Sequence, residues 1–269
     1  MQLGTDPGVT LHVQELGSGP PLVLIHGLFG NLATWYFSAA PELAKSHQVI
    51  AYDLRGHGKS SRPLNGYDVA SMARDLEAVV ARVAGAGELT LVGHSYGGVV
   101  ALAFALRQAS HGRRVHKLAV IDAPLPPLDT GELWARFTGV AAEDRQAMLA
   151  SLPGPVRDAL ASGGRRAKNF VEMVRFLSVE SSLREDLVRA EMSDATLATL
   201  RCPVLAVYGA ESACRASGQR LARVVSGARY LEMPGGHDLP QEAPLALTRE
   251  LARFLVPPPQ PSPRGEGAS

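Results

Sequence analysis

Six consecutive residues, Gly93-His94-Ser95-Tyr96-Gly97-Gly98, sharply limit the folds open to this chain. They stand between an apolar run at 89–92, which reads as a buried strand, and residues 99–107, which read as a helix. G-x-S-x-G in the order strand, sharp turn, helix puts a serine hydroxyl at the carboxyl end of a sheet, near the positive end of a helix dipole. The glycines at 93 and 97 are needed because side chains there would collide as strand and helix close on each other.

The rest of the chain agrees with that placement. Short apolar runs bounded by Gly and Pro alternate with longer amphipathic segments, the mark of βαβ units and a mostly parallel sheet. Residues 10–16 alternate like an edge strand, while 21–25, 48–52, 89–92 and 118–121 are apolar on both faces and read as buried strands. Residues 204–208 and 230–233 add two more. Residues 67–83 carry apolar side chains at helical spacing, and 245–255 forms the last expected helix.

Between 124 and 199 no β-like run occurs, only amphipathic stretches at 133–152, 168–177 and 183–192. The expected organisation is a core over 1–123 and 200–256, a helical cap inserted at 124–199, and a disordered Pro-rich tail at 257–269. The length of 269 residues and an apolar fraction of 46% suit one such domain with a buried core. A net charge of +1 offers no attraction for nucleic acid or an anionic membrane, and no apolar run is long enough to span a bilayer. Cys202 and Cys214 form neither a disulfide framework nor a metal-ligand spacing, and no secretory signal stands at the start. A soluble, cytoplasmic protein is expected, its oligomeric state left open.

A serine hydroxyl needs a base. His237, in Met233-Pro-Gly-Gly-His-Asp-Leu-Pro, follows the last expected strand, so its loop opens on the same sheet edge as Ser95. His94 neighbours the serine but should point elsewhere, and His12, His47, His111 and His116 have no companion motif. An oxyanion would need two backbone N–H donors. Tyr96 should supply one, and Leu28, in His26-Gly27-Leu28-Phe29-Gly30-Asn31, the other. Asp53-Leu-Arg-Gly-His-Gly-Lys-Ser60 ends like a phosphate loop but lacks the required glycine at 53, so it reads as a structural turn.

These motifs together resemble the α/β-hydrolase superfamily, from about residue 10 to residue 255. The resemblance implies an eight-stranded sheet, a helical cap and no metal or organic cofactor. It also implies a triad acid three residues after the glycine that ends the seventh strand. That glycine is Gly209, and the position holds Ser212, which carries no charge. Asp122, at the end of the sixth strand, and Glu211, one residue short of the usual place, are the two replacements, with Asp122 preferred.

Ester or thioester hydrolysis through an acyl-enzyme on Ser95 is the expected chemistry. Two alternatives share the residues: C–C bond hydrolysis, lyase or cyclase chemistry on a diketone or polyketide-like substrate, and a non-catalytic small-molecule receptor. Phe29, Trp35, Trp134 and Phe137 are candidate contacts for a small apolar substrate, each equally able to be core.

Overall fold

The computed structural model describes residues 1–5, 8–83, 88–111, 115–126 and 164–255. Eight strands form one sheet in the order β1-β2-β4-β3-β5-β6-β7-β8. They are β1 Gln2–Gly4, β2 Thr10–Leu16, β3 Pro21–Ile25, β4 Gln48–Tyr52, β5 Leu89–His94, β6 Val115–Ile121, β7 Val204–Gly209 and β8 Arg229–Met233. β1 and β2 run antiparallel to their neighbours, and every pairing from β4 through β8 is parallel. Seven of these strands match the sequence expectation. β1 was not expected, because three residues ending in glycine are too few to show a period of two.

The helices among the described residues are α1 Ala33–Tyr36, α2 Ala40–Leu43, α3 Val69–Val83, α4 Tyr96–His111, α5 Arg165–Arg175, α6 Leu183–Val188, α7 Asp194–Leu197, α8 Arg215–Val224, α9 Leu239–Glu242 and α10 Pro244–Leu255. A π-helical turn, Phe176–Glu180, extends α5.

The strands read as two-sided because both sheet faces are covered. Val23, Ile25, Leu91, Val120 and Ala206 point into a layer shared with α3, α4 and α8. Leu22, Leu24, Val92, Ile121 and Val207 point into the opposite layer, with α1, α2 and α10. Burial on both faces explains why these strands lack polar alternation. Trp35 is fully buried in the second layer among Leu22, Leu24 and Leu43. Its indole packs core on the face away from Phe29 and Tyr96, which belong to the first layer.

Helices α5, α6 and α7 lie between β6 and β7 in the chain. Met173, Val174, Leu177, Leu183 and Leu187 join the layer that holds Phe29, Tyr96 and Leu125. Asp186 accepts the Tyr67 N–H at 3.0 Å, and Ser182 donates its N–H to the Leu64 carbonyl at 2.8 Å, tying these helices to the loop before α3. The expected helix at 133–152, Trp134, Phe137 and the tail at 257–269 lie outside the described residues.

Candidate active site

The turn at Ser95 is enforced by sterics on both sides. A Cβ on Gly93 would sit 2.3 Å from the Gly97 carbonyl oxygen, and one on Gly97 would sit 2.5 Å from the carbonyl oxygens of Ile25 and His26. β5 can therefore pass straight into α4 only with glycine at both places. Ser95 is left at φ 52°, with its N–H donated to the Ile121 carbonyl at 2.8 Å.

Among the described residues, three non-glycines have positive φ: Phe29 at 61°, Ser95 at 52° and Asp122 at 46°. Each such conformation costs on the order of 1–3 kcal/mol and persists only where surrounding structure imposes it. All three residues meet at the carboxyl end of the sheet. Phe29 follows β3, Ser95 follows β5 and Asp122 follows β6.

His237 Nε2 lies 2.8 Å from Ser95 Oγ, and His237 Nδ1 lies 2.9 Å from Asp122 Oδ1. The loop carrying His237 is held from three directions. His94 donates its Nε2–H to the His237 carbonyl at 2.8 Å, and Glu242 accepts the N–H groups of Gly236 and Asp238. Glu211 donates its N–H to the Gly235 carbonyl at 3.0 Å. His94 thus acts through the backbone of the neighbouring histidine. Only the fold brings the two together, since they are 143 residues apart.

Of the two carboxylates left open by the sequence, Asp122 is the one hydrogen-bonded to His237, while Glu211 is exposed. Asp122 is fully buried and is satisfied by donors. Gly209 donates its N–H to Oδ2 at 2.7 Å, and Ser212 donates its hydroxyl to Oδ1 at 2.5 Å. Ser212, standing where the resemblance implies an acid, therefore serves the acid as a donor. Burial alone would push the His237 imidazole down, but the Asp122 hydrogen bond, the Cys214 sulfur and the Asp122 charge raise it above the ordinary histidine value. The geometry can pass a proton from Ser95 to His237 while fixing the Nδ1–H tautomer.

Cys214 Sγ lies 3.8 Å from His237 Nδ1, and with Asp122 these make the one three-donor group able to hold a cation among the described residues. Its Asp122 and His237 atoms already bond each other, and Gly209 and Ser212 take up the carboxylate further. That pattern serves a proton relay better than a metal.

The loop after β3 presses on the serine. A Cβ on Gly27 would meet the Ser95 Cβ at 2.8 Å, so only glycine lets the backbone approach. The Leu28 and Tyr96 N–H groups have no hydrogen-bond partner among the described residues. The Tyr96 side chain turns away, donating its hydroxyl to the Tyr67 carbonyl at 2.9 Å.

Two further buried histidines, which sequence reading left without a role, join the 26–30 loop to the turn at 53–60. His26 donates Nδ1–H to the Gly27 carbonyl at 2.7 Å and accepts the Leu54 N–H at Nε2 at 3.0 Å. His57 donates Nδ1–H to the Arg55 carbonyl at 2.8 Å and accepts the Phe29 N–H at Nε2 at 3.0 Å. The turn itself is set by Asp53, which accepts the Leu32 and Lys59 N–H groups, and by a buried Arg55–Asp75 pair at 2.7 Å. Both rings must be neutral to accept at Nε2. Burial pushes His26 down to about 4, and burial with the neighbouring His26 ring pushes His57 down to about 3.

An unfolded chain would take up these protons near pH 6.5 and the folded one would not, so their contribution is full above 6.5 and falls as pH drops towards 4. At pH 5 the loss is about 2 kcal/mol per histidine. Thermal melts should therefore show Tm falling from pH 7 to pH 5, with a smaller fall in His57→Gln. A flat Tm over that window would mean the rings are not held neutral.

A family model described as the alpha/beta hydrolase fold matches residues 20–155. The chain belongs to the α/β-hydrolase family. It is 30% identical over 250 residues to the dihydrolipoyllysine-residue acetyltransferase component of an acetoin cleaving system from Pseudomonas putida. That match covers 90% of this chain and 65% of the relative, so the chain spans about two-thirds of that protein's length. It is 27% identical to a soluble epoxide hydrolase of Corynebacterium sp. strain C12, over 93% of this chain and 95% of the relative. Among solved structures it is similar to the esterase RhEst1 from Rhodococcus sp. ECU1013, with 26% identity, a TM-score of 0.74, and coverage of 94% of this chain and 97% of that one. Among the described residues of this chain, no helix is long and apolar enough to cross a membrane.

Proposed function

We propose that the protein is a serine hydrolase that cleaves a small or medium, largely apolar ester or thioester through an acyl-enzyme on Ser95. The observation that carries this reading is the unbroken line of contacts Ser95–His237–Asp122, at 2.8 and 2.9 Å. His237 takes the Ser95 proton as the hydroxyl attacks the acyl carbon, then returns it to the leaving group. Asp122 fixes the imidazole and balances the charge that forms on it. Leu28 and Tyr96 N–H groups receive the oxyanion, which the close approach of the Gly27 loop to Ser95 supports. Residues 124–199 act as a cap over this edge of the sheet, a role supported by the packing of α5 and α6 into the layer that holds Phe29.

A relative bearing the name epoxide hydrolase raises the question of that reaction here. Epoxide opening in this fold wants a carboxylate nucleophile, and this chain has Ser95. The name esterase on RhEst1 fits serine chemistry.

The test is a chain-length series of p-nitrophenyl esters. Turnover with a preferred short or medium acyl chain is expected, together with labelling of Ser95 by a fluorophosphonate. Inertness towards every ester and towards the probe would sink the acyl-transfer reading and favour a specialised C–C enzyme or a receptor.

A further inference from the structure

The three positive-φ residues at the sheet edge are anchored through their own N–H groups, but not by equivalent partners. Ser95 donates to the Ile121 carbonyl and Asp122 to the Val207 carbonyl, each at 2.8 Å. Both acceptors belong to strands and are fixed by the sheet. Phe29 donates instead to a side chain, His57 Nε2, at 3.0 Å. Its N–H is therefore held by an imidazole and not by the sheet.

The positive φ of Phe29 matters for the turn it lies in. Gly30 donates its N–H to the Gly27 carbonyl at 3.1 Å, closing a four-residue turn in which Leu28 and Phe29 are the central pair. Positive φ at the third residue of such a turn is normally left to Gly or Asn. Without its acceptor, Phe29 would relax to negative φ, and the turn with Leu28 would move. The His57 ring is itself oriented by the Arg55 carbonyl at Nδ1, and Arg55 is locked to Asp75. His26 stands edge-on to it, with ring centroids 5.3 Å apart, and fastens the Gly27 carbonyl.

We propose that His57 is a positioning residue for the hydrolytic reaction. Acting as an Nε2 acceptor, it holds Phe29 in the left-handed conformation and so keeps the Leu28 N–H aimed at the developing oxyanion. This assignment rests on the reading that Leu28 supplies an oxyanion donor. His57 touches no reacting atom. It acts through the turn, so its loss should slow the chemical step and leave ground-state binding nearly as it was.

The experiment compares wild type, His57→Gln, His57→Leu and His57→Leu with Phe29→Gly on the best p-nitrophenyl ester. A donor displaced by about 1 Å weakens catalysis strongly, so His57→Leu should lower kcat about 10- to 100-fold with KM changed less than about threefold. Gln places an amide oxygen near the Nε2 position and should keep most of the wild-type kcat. Glycine adopts positive φ without strain, so Phe29→Gly should restore much of the kcat lost in the Leu variant. A merely structural role predicts otherwise: kcat would fall only in step with the folded fraction, and glycine would not rescue it.

Wild-type kcat in the Leu variant, or a loss confined to KM, would overturn the proposal. Should the Leu variant not fold, nitrogen NMR on the wild type decides. An unprotonated His57 Nε2 with scalar coupling to the Phe29 amide is expected, and a protonated Nε2 overturns the assignment. A wild type inert to esters and to the fluorophosphonate would instead defeat the hydrolase reading, and the His57 spectrum would still report on the anchor.

Discussion

Replacing Ser95 by alanine is expected to lower kcat for the best ester by roughly 10⁴- to 10⁶-fold, because nucleophile and base act as a unit. His237→Ala should cost nearly as much, and the double variant little more than either alone. The reason is geometric. At 2.8 Å the hydroxyl can surrender its proton to Nε2 as it attacks, and neither partner is useful without the other. Folding should be largely spared. Alanine at 95 keeps the N–H bond to the Ile121 carbonyl and the same backbone conformation, so Tm should stay close to wild type. Steady-state kinetics with matched melts checks both halves. A Ser95→Ala variant keeping a tenth of wild-type kcat would remove Ser95 from the chemistry.

Asp122→Asn carries the second large effect, a kcat loss on the order of 10⁴-fold. With its oxygen in the Oδ2 place the amide can still accept the Gly209 N–H, and its NH2 group, in the Oδ1 place, then faces the Ser212 hydroxyl, which can turn to accept, and His237. Towards His237 it turns a donor, which forces the imidazole into the Nε2–H tautomer, and that tautomer has no lone pair for the Ser95 proton. The pH profile adds a signed test. Asp122 raises His237 above the ordinary histidine value, so the wild-type kcat/KM should climb with pH through an alkaline-shifted limb. With the carboxylate gone, burial dominates and the limb should move to lower pH. Glu211→Gln should change kcat less than about twofold, since its side chain is exposed and His237 faces Asp122. A larger loss in Glu211→Gln, or an unmoved limb in Asp122→Asn, would return the acid to Glu211.

Much of the site could be read from local pattern. Both-face apolar runs located β3 through β6, because parallel strands covered on two sides have nowhere to put polar residues. Gly93 and Gly97 marked the elbow for a steric reason that operates within a few residues. His237 could be assigned to the Ser95 edge because successive parallel strands deliver their carboxyl ends to the same side.

Other features could not be read that way. Asp122 and Glu211 are both plausible acids on paper, and the pairing of β6 with β7 sets Asp122 beside Gly209 and Ser212 and within hydrogen-bonding distance of His237. Trp35 and Phe29 are equally eligible for a pocket. The sheet sends Trp35 into one layer and Phe29 into the other. His57 looked like part of an ordinary turn, and its partner Phe29 lies 28 residues away in a different loop.

Sequence alone determined the fold and the placing of Ser95 and His237 on one sheet edge, since periodicity, turn sterics and chain direction are written in neighbouring residues. Tertiary structure alone decided which carboxylate meets His237, which layers receive Phe29 and Trp35, and how His57 anchors the 26–30 loop. Each of these depends on which distant segments lie within hydrogen-bonding distance, and that is fixed by strand pairing and packing across the sheet.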